Sequence, residues 1–208
     1  MKNRLELDSE QFLLQYTHSA YRENPYFPSL MLKMAEAQPH PCPFLSDRGC
    51  KIYEDRPYSC RSYPLERAVS RTSSANGRQV VYLVAKHPYC HGHQEPHHCK
   101  IGDWMHDQEM IRYNQINEWW VEIETILQSN PWGPKGTANP ALNMTFMACY
   151  NIDKFRSFVN ESSFLKRFNL PNDRLNEIQS SDMAMMRLGF DWVKFILTQS
   201  GPMAKCLS

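Results

Sequence analysis

Apolar residues recur along this chain in three rhythms, and each predicts a different kind of structure. Phe12, Leu13 and Tyr16 share a face over residues 8–17, where Asp8 stands as a cap and Gln11 follows three residues later as in a capping box, so a short helix is expected. Ser29-Leu-Met-Leu-Lys-Met34 and Gln79-Val-Val-Tyr-Leu-Val-Ala85 have strand character, the second β-branched and bounded by Asn76-Gly77. These two segments are expected to pair as a small sheet. Between them, Pro39, Pro41, Pro43, Pro57 and Pro64 exclude long helices and predict a stiff, looped stretch over residues 38–64.

From Asp103 the spacing changes. Tyr113, Ile116, Trp120, Ile123 and Leu127 alternate in steps of three and four, the mark of an amphipathic helix that ends near Ser129. Residues 130–140, rich in Pro and Gly, read as a linker. Beyond it Ile152, Phe155 and Val159 define a helical face, Asn172 or Asp173 is placed to cap a further helix, and Met185, Leu188, Trp192 and Phe195 define another. The expected fold is therefore α+β: a small irregular Cys-rich core with a short β-sheet and flanking helices in residues 1–129, the linker, and a mainly helical region in 141–208. There is no internal repeat, low-complexity tract or coiled-coil heptad.

Composition narrows the function classes. At 208 residues the chain has room for about one domain plus an appendage. Its 23 Lys+Arg against 22 Asp+Glu leave a charge of +1, which supplies no field for non-specific capture of nucleic acid or anionic lipid. The start Met1-Lys-Asn-Arg-Leu-Glu-Leu-Asp8 has no apolar signal core, and no run approaches a membrane span of about 18–20 apolar residues. A cytoplasmic protein is expected, acting on neither nucleic acid nor membrane.

Seven cysteines then become the chemistry to follow: Cys42, Cys50, Cys60, Cys90, Cys99, Cys149 and Cys206. In a reducing compartment, clustered thiols are metal ligands or redox groups before they are disulfides, and the bland alternative is a set of structural thiols. Cys42, Cys50 and Cys60 lie in the Pro-rich stretch, which lowers the entropy cost of holding ligands, and Cys90 follows the second strand as a fourth thiolate. Four thiolates around Zn²⁺, or around a [4Fe–4S]²⁺ cluster, carry net negative charge, so neighbouring cations are expected. Arg56 and Arg61 flank Cys60 and are candidates to tune the cofactor by donating to sulfur or to local carbonyls, while Phe44, Tyr53, Tyr58 and Tyr63 are candidates to screen it from water. Plain packing and surface charge are the alternatives for these groups. His87, His91, His93, His97, His98 and His106 make a second, less specific metal set. Cys99 is a spare ligand or redox thiol, Cys149 a buried small hydrophobe and Cys206 a free tail thiol.

The stretch Cys42-Pro-Phe-Leu, Gly49-Cys50, Ile52-Tyr-Glu-Asp-Arg-Pro57 and Cys60-Arg-Ser-Tyr-Pro64 resembles the core of the YkgJ family of cysteine-cluster proteins, described as zinc- or iron-chelating. Ser9 to Thr17, Cys90-His-Gly92, Trp104 to Gln108 and Cys149 to Phe158 are similar to longer bacterial members. The resemblance implies a metal-binding protein, with iron–sulfur and zinc both proposed and a flagellin lysine methylase as a distant relative. Such proteins usually carry a closely spaced cysteine block ahead of this core, whereas no cysteine here precedes Cys42. A shortened chain or a partly lost site is the expectation.

The functional reading is a protein that chelates iron, as an iron–sulfur cluster, or zinc through Cys42, Cys50, Cys60 and Cys90. One alternative is a cluster-dependent oxidoreductase or protein lysine methylase with the helical region as substrate platform. Another is a structural module that binds a protein partner through the Trp119/Trp120 helix and the Met183, Met185 and Met186 segment. No P-loop, dinucleotide fingerprint, Ser-His-Asp set or His-Glu-x-x-His motif is present.

Overall fold

The structure is a computed structural model and describes residues 1–70, 77–96, 98–133, 136 and 139–203. In chain order the elements are α1 (Ser9–Tyr16), β1 (Thr17–Ala20), β2 (Ser29–Leu32), β3 (Leu45–Ser46), β4 (Gly49–Cys50), α2 (Tyr58–Ser62), β5 (Leu65–Val69) and β6 (Val80–Val84). There follow α3 (Ile101–Asp107), α4 (Met110–Gln128), α5 (Pro140–Tyr150), α6 (Ile152–Glu161), α7 (Phe164–Arg167), α8 (Asn172–Ser180) and α9 (Asp182–Thr198). Short strands precede a helical C-terminal region, the expected α+β order. Among the described residues no helix is long and apolar enough to cross a membrane.

Two compact units form. One combines Met1–Tyr53 with Ile123–Ser208, and the other is Glu54–Glu122. Of the stretch read as a linker, Pro134, Lys135, Thr137 and Ala138 lie outside the described residues, as do Asn76, His97 and Cys206. Trp132 in that stretch is core: its indole is buried and donates from Nε1 to the carbonyl of Tyr26 at 2.8 Å.

The first unit is built on helices whose termini are written in sequence. Gln11 N donates to Asp8 Oδ1 at 2.8 Å and Asp8 N to Gln11 Oε1 at 3.0 Å, a complete capping box for α1. In α6, Ile152, Phe155 and Val159 are all buried, and in α9 Met185, Leu188 and Trp192 are buried with them. Phe155 stacks on Trp192 with centroids 5.5 Å apart, and Phe158 and Phe164 close the same aromatic cluster. The expected cap of α8 is corrected: Pro171 is its N-cap, without a side-chain bond, and Asn172 is already helical.

The expected pairing of the two strand segments is also corrected. β2 pairs antiparallel with β1, and β6 with β5, in separate two-stranded sheets. Each strand takes a partner near in sequence, where closing the loop costs less entropy than reaching a partner some fifty residues away.

Two contacts in this unit yield measurable consequences. Gly189 in α9 faces α5 so closely that a Cβ there would lie 2.5 Å from the carbonyl oxygen of Ala148. Gly189→Ala is expected to destabilise the fold by about 1–3 kcal/mol, read by chemical denaturation. Asp153 in α6 accepts from Ser9 N at 2.7 Å and Ser9 Oγ at 2.8 Å, and pairs with Lys2 Nζ at 3.0 Å. Partial burial works against its charge, but the Ser9 donors and Lys2 outweigh it and hold the carboxyl below its ordinary value. Its contribution is therefore complete at neutral pH and is lost as pH falls from the ordinary carboxylate value through the folded one. Asp153→Asn is expected to be less stable than the native chain at pH 7, with the difference shrinking by about pH 3 in denaturant titrations.

Candidate functional site

Cys42 and Cys50 belong to the first unit and are carried by one small hairpin. Leu45 pairs with Cys50 and Ser46 with Gly49, Leu45 N donates to Cys42 O at 3.0 Å, and Lys51 N donates to Phe44 O at 2.9 Å. Gly49 closes the turn at φ +99°, a conformation that side-chain-bearing residues rarely adopt. Phe44 and Ile52 anchor the hairpin in the core, and Phe44 packs on Tyr16. Both thiols remain half-buried. Of the aromatics expected to screen a site here, Phe44 is buried but Tyr53 is exposed.

The second unit carries Cys60, Cys90 and Cys99. Pro57 starts α2, Cys60 N donates to Pro57 O at 3.0 Å, and the Cys60 side chain faces solvent. Its neighbour Arg61 is 3% exposed, and the guanidinium is spent on the protein itself. Nε donates to Arg56 O at 3.2 Å, Nη1 to Gln108 O at 3.2 Å and to the Glu109 carboxylate, and Nη2 to Glu54 O. The same group lies 5.0 Å over the Tyr113 ring. Arg56, also buried, donates to Gln108 Oε1. Of the two roles expected for these arginines, the structure displays donation to local carbonyls and an amide.

Cys90 sits one turn beyond β6, with its N–H donating to His87 O at 3.0 Å, and caps a 3-10 turn over His91–Gln94. A hydrogen bond from the Tyr63 hydroxyl lowers the Cys90 thiol below its ordinary value, assisted by the Gly92 and His93 N–H groups. The same bond raises Tyr63. Tyr63 Oη is also 3.0 Å from His93 Nε2, and its ring stacks on His87, which stacks in turn on Tyr89. Beside them opens a cavity of about 590 Å³, walled by Tyr63, Leu65, Val84, Ile101 and Trp104, with Cys90 and Cys99 both in its lining. Trp104 Nε1 donates to Ser62 O at 3.3 Å and so ties α3 to the end of α2.

Cys99, read from sequence only as a reserve, thus shares a wall with Cys90. Tyr63, read as a screen, lines the same cavity as Cys90, with its hydroxyl 3.0 Å from His93 Nε2. No spacing rule links Tyr63 to Cys90 across 27 residues, and the pairing arises because β5 and β6 return the chain antiparallel. Cys149 is as expected: buried in α5, with burial pushing its thiol far up. Among the described residues no three His, Cys, Asp or Glu side chains are grouped as a metal-ligand set. The donors have the right chemistry for zinc or iron, since thiolates suit both.

The chain belongs to the family described as "Putative zinc- or iron-chelating domain", CxxCxxCC, whose model matches residues 6–116, more than half of the 208 residues. The matched region holds Cys42, Cys50, Cys60, Cys90 and Cys99 and leaves out Cys149 and Cys206. The Cys-x-x-Cys-x-x-Cys-Cys spacing in the family's short name does not occur in this sequence. No curated protein and no solved structure shows significant similarity to the chain.

Thiol chemistry separates the cysteines experimentally. Cys60 and Cys99 are expected to alkylate at once in the native metal-free protein, and Cys149 only on unfolding. Tyr63→Phe removes the donor to Cys90, so the pH midpoint for Cys90 alkylation is expected to rise. Mass spectrometry of peptides labelled across a pH series reads this directly.

Proposed function

We propose that this protein is a zinc- or iron-chelating protein whose ligands are the thiolates of Cys42, Cys50, Cys60 and Cys90. Family membership over residues 6–116 is the observation that carries the reading. It is supported by the accessibility of these thiols, in contrast to the buried, proton-retaining Cys149. Thiolate ligation supposes a reducing compartment, which makes the protein cytoplasmic. Metal binding by thiols releases their protons, so affinity rises with pH. Arg56 and Arg61 act on the site through the backbone that they hold around Cys60, not as ligands.

Metal analysis of anaerobically purified protein tests the proposal. Either zinc or iron is expected in stoichiometric amount, iron as a cluster absorbing near about 400 nm, zinc without colour. Cys42→Ser, Cys50→Ser, Cys60→Ser and Cys90→Ser are each expected to reduce the bound metal at least tenfold, whereas Cys149→Ser leaves it unchanged. A protein that stays metal-free, with a melting temperature indifferent to zinc, iron and chelator, would overturn the reading.

A further inference from the structure

We infer that the outer edge of β6 is a self-association surface, at which two copies of this chain pair β6 against β6, antiparallel, about a two-fold axis through Tyr82. The edge is available: among the described residues β6 pairs only with β5, and no backbone hydrogen bond reaches its other side. It is also apolar. Val81 is 46% exposed and Leu83 and Val84 are each 56% exposed, and no charge or proline interrupts Gln79 to Ala85. Edge strands are ordinarily protected by such interruptions, and a lone two-stranded sheet is marginal in water.

The occupant follows from the register. Ser70 N donates to Gln79 O at 2.9 Å and Ala85 N to Pro64 O at 2.8 Å, so the odd-numbered residues of β6 turn their backbone groups toward β5. The N–H and C=O groups of Val80, Tyr82 and Val84 therefore point outward. A two-fold axis at Tyr82 sets Tyr82 opposite its own copy and Val80 opposite Val84, so that each outward donor meets an outward acceptor. On the solvent face the same register sets Val81 beside Leu83 twice over, a β-branched and apolar pairing of the kind that stabilises sheets. An uncharged segment that is complementary to itself in both backbone pattern and side chains fits an isologous dimer. At the ends Arg78 of one copy faces Lys86 of the other; Arg78 Nε lies 3.9 Å from Glu118 Oε2, a carboxylate it shares with Arg67, so this pairing is expected to tighten as salt rises.

Sedimentation of the full chain, with reductant and chelator present so that neither thiols nor metal can bridge copies, tests this independently of metal binding. The mass is expected to double over a concentration series reaching about 1 mM. Val81→Glu with Leu83→Glu, and Val81→Lys with Leu83→Lys, are each expected to remain monomeric, and their equimolar mixture to dimerise. Hydrogen exchange on the native chain supplies a readout that needs no variant. Val81 and Leu83 amides are protected at every concentration, while Val80, Tyr82 and Val84 amides become protected only as the dimer forms. A native chain that stays monomeric throughout, a dimer indifferent to both charge pairs, or outward amides that never gain protection would overturn the inference.

Discussion

The second unit depends on the burial of one cation. A guanidinium at 3% exposure is tolerated only if its N–H groups are satisfied, because an unpaired buried charge costs several kcal/mol. Arg61 meets that demand with the carbonyls of Glu54, Arg56 and Gln108 and the carboxylate of Glu109. Since those acceptors come from the turn before α2 and from the junction of α3 with α4, one side chain holds these two segments to α2. Cys60 precedes it on a five-residue helix too short to be stable alone, and Tyr63 follows two residues later. The outward thiol of Cys60 and the Tyr63 ring that lines a cavity with Cys90 are thus both placed by the same clamp.

The thiols divide by environment more sharply than by spacing. Cys149 is enclosed by helices and keeps its proton, so it behaves as a small apolar residue. Cys90 lies where a turn presents two N–H groups and a phenol to its sulfur, which favours the thiolate that both metal ligation and nucleophilic reactivity require. Its cavity is largely apolar, and Cys99 lines it as well. In such surroundings a thiolate is costly unless donors face it, and this explains why Tyr63 and the 3-10 turn occur there together.

Local rules were legible where the determining contacts are local. The Asp8–Gln11 box, the Ile152-Phe155-Val159 face and the Met185-Leu188-Trp192 face appear as the spacing predicts, because caps and helical faces involve residues three to seven apart. Strand pairing was not legible. Two apolar runs name strands without naming partners, and β1 and β5 carry too weak an alternation to announce themselves as the nearer ones. The arginines show the same limit: sequence places Arg56 and Arg61 beside Cys60, but whether a guanidinium faces sulfur, solvent or carbonyls depends on which backbone passes it.

Composition, capping and motif spacing are properties of neighbouring residues, and from them alone follow the α+β class, the Asp8–Gln11 cap and a zinc- or iron-chelating family. Tertiary contacts alone place Tyr63, Cys90 and Cys99 around one cavity, bury Arg61 as a clamp and leave the outer edge of β6 unpaired among the described residues. Each of these depends on which segments meet across tens of residues, and that choice is made by burial and by the demand of every buried polar group for a partner.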